Sequence, residues 1–231
     1  MLKLAIGNKN YSSWSMRPWV LMRQFGIPFE ELMIRFDGFA PDSRFKQAIT
    51  RLSPVGRVPV LVHGDLVVWD TLAIAEYLAE YAAEHFPEHA LWPRAQAARA
   101  RARSLCAEMH SGFAALRGAC PMNIEAQLPE VGKQVLADRP GVADDLARIV
   151  AMWQSALAQS GGPFLFGAYS VADAYFAPVA ARLRTYALPV PAEVKAYTDR
   201  LWASPGVAAW VGDALAEQQY LDFEEPYRRH R

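Results

Sequence analysis

The side chains best placed to do chemistry fall in one short run, Tyr11-Ser12-Ser13-Trp14-Ser15-Met16-Arg17. It follows an alternating apolar stretch and a polar loop, and it opens a segment of helical spacing. A hydroxyl at such a place either caps the helix or donates to an anion held at the helix N-terminus. Ser12, Ser13 and Ser15 all qualify as caps. A second pair, Asp70-Thr71, stands at another helix start, where Asp70 reads as an N-cap or as one end of a polar ligand site. Between the two lies Arg57-Val58-Pro59. Pro59 interrupts a β-branched run although it has no N–H to give a strand ladder. A cis Val58–Pro59 bond, accessible to X-Pro pairs for about 0.5–1 kcal/mol, would turn the Val58 main chain outward toward a peptide-like ligand. His110 is a general-base candidate with no partner visible in the sequence. Cys106 and Cys120 stand in neither a CxxC nor a metal-ligand spacing, which implies free thiols and no metal.

The elements that must position these groups follow from periodicity. Leu2, Leu4 and Ile6 alternate as a first strand. A helix from Ser12 carries Trp14, Pro18, Leu21, Met22 and Phe25 on one stripe, with Pro18 expected in its first turn. Gly26 and Pro28 close it. A strand over 29–36, a short helix over 43–52, and two strands paired across Gly64-Asp65 come next. A helix from Asp70 then carries Ile74, Tyr77, Leu78 and Tyr81 on one face. The order is β-α-β-α-β-β-α. The segment 85–93 (HFPEHALWP) reads as a linker. Beyond it no strand pattern occurs; helices are expected over 94–117, 141–160, 170–186, 192–203 and 205–219. Ser170-Val171-Ala172-Asp173 matches a capping box. The segment 118–140, with Pro121, Pro129 and Pro140, has few periodic signals, and segments of that kind are often functional.

Composition narrows the classes. At 231 residues and 52% hydrophobic content the chain can bury a large core. Twenty-four Lys and Arg balance 24 Asp and Glu, so net charge calls for neither nucleic acid nor an anionic membrane. No stretch reaches the roughly 18 apolar residues of a membrane span, and the opening residues are too briefly apolar for a signal peptide. The expected location is cytoplasmic.

Pro54-Val55-Gly56-Arg57-Val58-Pro59-Val60-Leu61, followed by Asp70-Thr71, resembles the Pro-x-Gly-Lys-Val-Pro-x-Leu run and the acidic-hydroxyl pair of glutathione transferases. The capping box in the second half resembles that of the same family, and segment 12–17 looks most like the zeta class. There Trp14 stands where that class has Cys. The resemblance implies an α/β thioredoxin-like N-terminal domain (1–84) followed by an all-α helical-bundle domain (94–231).

It also implies a site. Ser12 would stabilise the glutathione thiolate as catalytic residue, with Ser13 beside it. Asp70 and Thr71 would hold the γ-glutamyl end, Val58 before Pro59 the cysteinyl main chain, and Arg57 the glycine carboxylate. Tyr11, Trp14, Met109, His110 and Phe113 are candidates for the pocket of a small hydrophobic electrophile. Arg182 and Arg184 are possible contacts for an acidic substrate. The expected function is conjugation of glutathione to that electrophile by a homodimer. Alternatives are glutathione-dependent cis-trans isomerisation, as in maleylacetoacetate isomerases, and a non-enzymatic binding protein of the same fold.

Overall fold

The computed structural model describes residues 1–231. Four strands form one mixed sheet in the order β2-β1-β3-β4: β1 (Leu2–Ile6), β2 (Phe29–Met33), β3 (Val60–His63) and β4 (Leu66–Val68). β1 runs parallel to β2 across the crossover helix α1 (Ser13–Gln24) and antiparallel to β3. Both sheet faces are covered. Leu2, Leu4 and Ile6 pack into the large core with α1 and α3 (Thr71–His85), while Ala5 and Val60 face Phe45 and Ile49 of α2 (Arg44–Leu52) on the other side. This domain is followed by helices α4 (Gln96–Ser111), α5 (Ala114–Ala119), α6 (Pro129–Asp138), α7 (Pro140–Ser160), α8 (Val171–Thr185), α9 (Ala192–Trp202) and α10 (Pro205–Glu217). No helix is long and apolar enough to cross a membrane.

Several elements differ from their sequence reading. β2 stops at Met33 rather than 36, because the chain leaves the ladder to bond its Phe36 N–H to Asn8 Oδ1 at 2.8 Å. Pro18 lies in the second turn of α1, since the helix starts only at Ser13; the Trp14 carbonyl four residues earlier therefore lacks its usual N–H donor. The expected helix over 94–117 is two helices. Phe113 takes a left-handed conformation (φ 58°) directly after Gly112, and the chain turns there so that α5 approaches the N-terminal domain. Residues 129–138, expected to be irregular, are helical, with Pro129 at a first-turn position where its missing N–H does no harm.

α8 is the axis of the helical domain, buried along nearly its whole length. Its capping box forms as expected: Asp173 Oδ2 accepts from the Ser170 main chain at 2.9 Å. α10 reaches back to hold the loop that precedes Ser12. Lys9 is buried between Glu31 (2.7 Å) and Asp213 (2.6 Å), its N–H donates to Glu217 at 2.8 Å, and its carbonyl accepts from Trp210 Nε1 at 3.0 Å. α10 comes so close to α1 that a Cβ on Gly206 would stand 2.3 Å from the Val20 carbonyl.

Candidate functional site

Two adjoining clefts open where the N-terminal domain meets α4, α5 and α8. The larger, about 440 Å³, is lined by Tyr11, Ser12, Ser13, Trp14, Arg57 and Val58 on one side and by Arg117, Pro121, Met122, Arg182 and Glu224 on the other, with Phe36, Phe39 and Phe45 at its end. The smaller, about 190 Å³, is lined by Trp14, Arg57, Val58, Pro59, Trp69, Asp70, Thr71 and His110. Trp14, Arg57 and Val58 belong to both.

Ser12 is buried at the N-terminus of α1, yet its hydroxyl makes no capping bond. It instead meets Ser15 Oγ at 2.7 Å, and Ser15 Oγ accepts the Gly7 N–H at 3.2 Å. Ser12 Oγ is the donor in that contact, so its proton must leave Ser15 to reach an anion in the cleft, a rotation that a hydroxyl makes readily. Gly7 is required at this turn. A Cβ there would lie 2.2 Å from the Phe36 ring. Ser13 is partly exposed as the first residue of α1, and its N–H donates to the Tyr11 carbonyl at 2.9 Å.

The Val58–Pro59 and Trp69–Asp70 peptide bonds are both cis. β3 begins only at Val60, and the Val58 N–H and C=O bond to no other residue. Asp70 caps α3: its Oδ1 accepts the Leu72 N–H at 2.9 Å. Its Oδ2 lies 3.1 Å from His110 Nε2. The other imidazole nitrogen is 3.1 Å from the Tyr175 hydroxyl, which in turn is 2.5 Å from Thr71 Oγ1. His110 also meets the Trp14 ring edge-on with centroids 5.0 Å apart. Arg17, 3% exposed, lies between the faces of Trp14 (4.0 Å) and Tyr175 (4.3 Å).

The structure thus gathers Tyr11, Ser12, Ser13, Trp14, Arg57, Val58, Pro59, Asp70, Thr71 and His110 around the two clefts. It does not bring Met109 or Phe113 to them. Met109 is wholly buried on α4, and Phe113 is buried at the turn that ends it, so the wall expected from one long helix comes from α5 and the chain after it. Arg184 is also elsewhere, paired with Asp199 at 3.0 Å. Tyr11 contributes its ring while its hydroxyl turns to Glu225 Oε1 (2.8 Å) and the Gln219 carbonyl (3.0 Å). Burial, reinforced by Glu225, pushes the Tyr11 phenol up to about 12, so it stays protonated at neutral pH. Burial works against the Glu225 charge, but hydrogen bonds from Arg228, Tyr11 and Asn123 outweigh it and hold its pKa below the ordinary value. Burial pushes Cys120 up to about 11 and Cys106 higher still, so neither thiol is a nucleophile here.

Residues with no local sequence signal complete the arrangement: Arg117 and Glu224 reach the larger cleft from α5 and the C-terminal segment, while Tyr175 on α8 stands behind, bonded to Thr71 and His110.

Comparison with known proteins agrees with this architecture. The chain matches the family descriptions "Glutathione S-transferase, N-terminal domain" over residues 11–81 and "Glutathione S-transferase, C-terminal domain" over residues 94–213. It is 36% identical to Glutathione S-transferase 1 of Dianthus caryophyllus over 92 residues, which is 40% of this chain and 38% of that relative. A glutathione transferase homolog from Burkholderia gl BGR1, solved with bound glutathione, superposes with a TM-score of 0.67 at 25% identity, covering 93% of this chain and 98% of that one. The nitrogen regulation fragment of the yeast prion protein Ure2p shares the fold alone, at 14% identity and a TM-score of 0.68 over 91% of this chain and 96% of that one.

A thioredoxin-like sheet domain joined to a helical domain, with clefts at their junction, defines a protein of the glutathione transferase class. The chain belongs to the glutathione S-transferase family.

Proposed function

We propose that the protein joins the glutathione thiolate to an electrophile held in the larger cleft, with Ser12 donating a hydrogen bond to the sulfur. The observation that carries this reading is the Ser12 hydroxyl itself: buried at a helix N-terminus, facing a cleft, and not spent on capping. A thiol of pKa about 8.5 is mostly protonated at neutral pH, and only the thiolate attacks. Lowering that pKa by two units requires about 2.7 kcal/mol of extra stabilisation of the anion. One hydrogen bond to a charged acceptor contributes roughly 1.5–3 kcal/mol, and the α1 N-terminus adds part of the rest. When the Ser12 proton turns to the sulfur, Ser15 can donate to Ser12 Oγ in its place, and the Gly7 N–H behind it polarises the chain in the same direction.

The remaining contacts follow from the smaller cleft. The unbonded main chain of Val58 suits the cysteinyl residue of glutathione. Asp70 retains lone pairs for the γ-glutamyl ammonium, Thr71 offers the N-terminal N–H groups of α3 to the adjoining carboxylate, and Arg57 has no carboxylate of its own and suits the glycine end. In the reaction a carbon–sulfur bond forms at the electrophile, its leaving group departs with the bonding electrons or its double bond accepts them, and the thiol proton passes to solvent. The working assembly we propose is a cytoplasmic homodimer, which sedimentation at micromolar concentration checks.

The test is retention on immobilised glutathione, a rise in melting temperature with millimolar glutathione, and a conjugation screen across electrophile classes. A ligand that binds only the native state adds RT ln(1 + [L]/Kd) of stability. Retention, a melting shift and turnover of at least one electrophile are the expected results. Absence of both retention and a melting shift would overturn the reading, and binding without any turnover would favour a non-enzymatic role.

A further inference from the structure

The cleft beside Ser12 is far more positive than a chain with balanced charges requires. Lys46, Arg57, Arg117 and Arg182 line it, against a single acidic side chain, Glu224. Behind its Trp14 wall lies Arg17. None of these five cations forms a salt bridge, whereas Arg103 pairs with Glu76 and Arg148 with Glu108. Two of them are also short of hydrogen-bond acceptors. Nε and one terminal nitrogen of Arg17 have no partner, and neither has Nε of Arg117, whose nearest bond, to the His110 carbonyl, is stretched to 3.5 Å.

Arg182 differs in being anchored. Its Nε donates to the Cys120 carbonyl at 2.8 Å and a terminal nitrogen to the Pro178 carbonyl at 3.0 Å, which fixes the guanidinium plane while leaving it charged and without a counter-ion. Burial lowers Arg17 and Arg182 to about 10, and for Arg182 the neighbouring Arg17 and Arg117 add to the effect; both remain cationic at neutral pH. Glu224 compensates little. Burial, with Glu225 beside it, pushes its carboxyl up to about 7, so much of it is uncharged near neutrality.

Arg17 and Arg182 are buried and Arg117 is half-buried, and buried charge without a counter-ion is destabilising, whereas Lys46 is half-buried and Arg57 is exposed to water. An anionic ligand would repair the imbalance. Arg57 and Lys46 lie toward Gly56, where the glycine end of glutathione is placed; Arg117, 5.6 Å from the Trp14 ring centroid, and Arg182 lie on the opposite wall with no carboxylate partner.

We propose that the electrophile is itself an anion, a conjugated or aromatic carboxylate whose flat part rests on the apolar wall beside Trp14 and whose carboxylate is received by Arg117 with Arg182 alongside. The proposal rests on the transferase reading and narrows its substrate class. Arg117 is the specificity-determining residue, and it reaches the cleft because α4 breaks at Gly112-Phe113 and lets α5 turn inward.

A charge-matched pair of conjugates tests this without relying on turnover. In 4-chloro-3-nitrobenzoate the thiolate forms a carbon–sulfur bond where the carbon–chlorine bond breaks, chloride leaves with the electron pair, and the thiol proton goes to solvent. The product, S-(4-carboxy-2-nitrophenyl)glutathione, and its 4-carboxyl methyl ester differ in the carboxylate charge and one methyl group, and calorimetry measures the affinity of each for the full-length protein. The carboxylate form should bind at least about tenfold more tightly, the size of one charge-assisted contact, and in Arg117→Met the ratio should fall to within about twofold. Arg182→Met should reduce the ratio as well, and should that variant fail to fold, Arg117→Met alone decides. Equal and firm binding of both conjugates by the unaltered protein would overturn the anion site while leaving the transferase reading standing. A ratio that survives Arg117→Met would overturn the assignment to Arg117, and binding of neither conjugate would overturn both readings.

Discussion

His110 Nε2 lies 3.1 Å from Asp70 Oδ2, so a residue of the helical domain holds the capping carboxylate of the sheet domain. Through Tyr175 the same imidazole is linked to Thr71, and its ring supports Trp14. His110 is therefore placed to position the glutathione-binding pair rather than to act as a general base, since both of its nitrogens are engaged. His110→Ala frees Asp70 to swing. The KM for glutathione should rise about tenfold, the effect of one charge-assisted bond, while kcat changes much less. Steady-state kinetics in glutathione checks this, and a fall in kcat at constant KM would point instead to a direct part in chemistry.

Arg17 presents a trade between stability and function. Its two aromatic contacts stabilise it by about 2 kcal/mol each where desolvated, but withdrawing a guanidinium from water costs several kcal/mol per ion. The two nearly cancel. Arg17→Met keeps the bulk and removes the charge, so the melting temperature should hold or rise, while kcat/KM should fall because Trp14 loses the group stacked behind it. A large drop in melting temperature would show that the stack outweighs the burial of the charge.

Asp173 gives a pH dependence with a defined sign. It is fully buried, and Leu165 N–H, Ser170 N–H and the hydroxyls of Ser170 and Tyr197 all donate to it. Burial nevertheless raises its pKa from the ordinary 3.8 to about 6. The native state thus holds a proton that the unfolded chain releases. Stability from this group is full below about pH 4 and is lost as pH rises through about 6, by roughly 3 kcal/mol for a two-unit shift. Asp173→Asn cannot ionise. Urea unfolding of both proteins across this window should show the wild-type advantage shrinking between pH 4 and 6.5, and a constant gap would contradict the assignment.

Much of the fold was legible because its signals are local. Alternation at Leu2, Leu4 and Ile6, the Gly64-Asp65 turn, the 85–93 linker and the Ser170–Asp173 box each depend on neighbours a few residues apart. The N-terminal half of the site was legible for the same reason, since Ser12 and Asp70 both sit at helix starts. The rest depends on contacts that no local pattern encodes: Tyr11 with Glu225 spans 214 positions, and Thr71 with Tyr175 spans 104. The break at Gly112-Phe113 was missed because a glycine inside an alanine-rich helical pattern is tolerated as often as it ends one. That one omission misplaced Met109 and Phe113 and concealed Arg117.

The central claim is that the Ser12 hydroxyl stabilises the thiolate, and the most direct measurement is the apparent pKa of enzyme-bound glutathione, followed by thiolate ultraviolet absorbance across pH in the wild type, Ser12→Ala and Ser13→Ala. Loss of a bond of roughly 1.5–3 kcal/mol should raise that pKa by one to two units in Ser12→Ala and slow turnover at neutral pH by one to two orders of magnitude, with glutathione affinity largely kept and Ser13→Ala close to wild type. An unchanged thiol pKa in Ser12→Ala would contradict the account, and a rise confined to Ser13→Ala would move the catalytic hydroxyl one residue along.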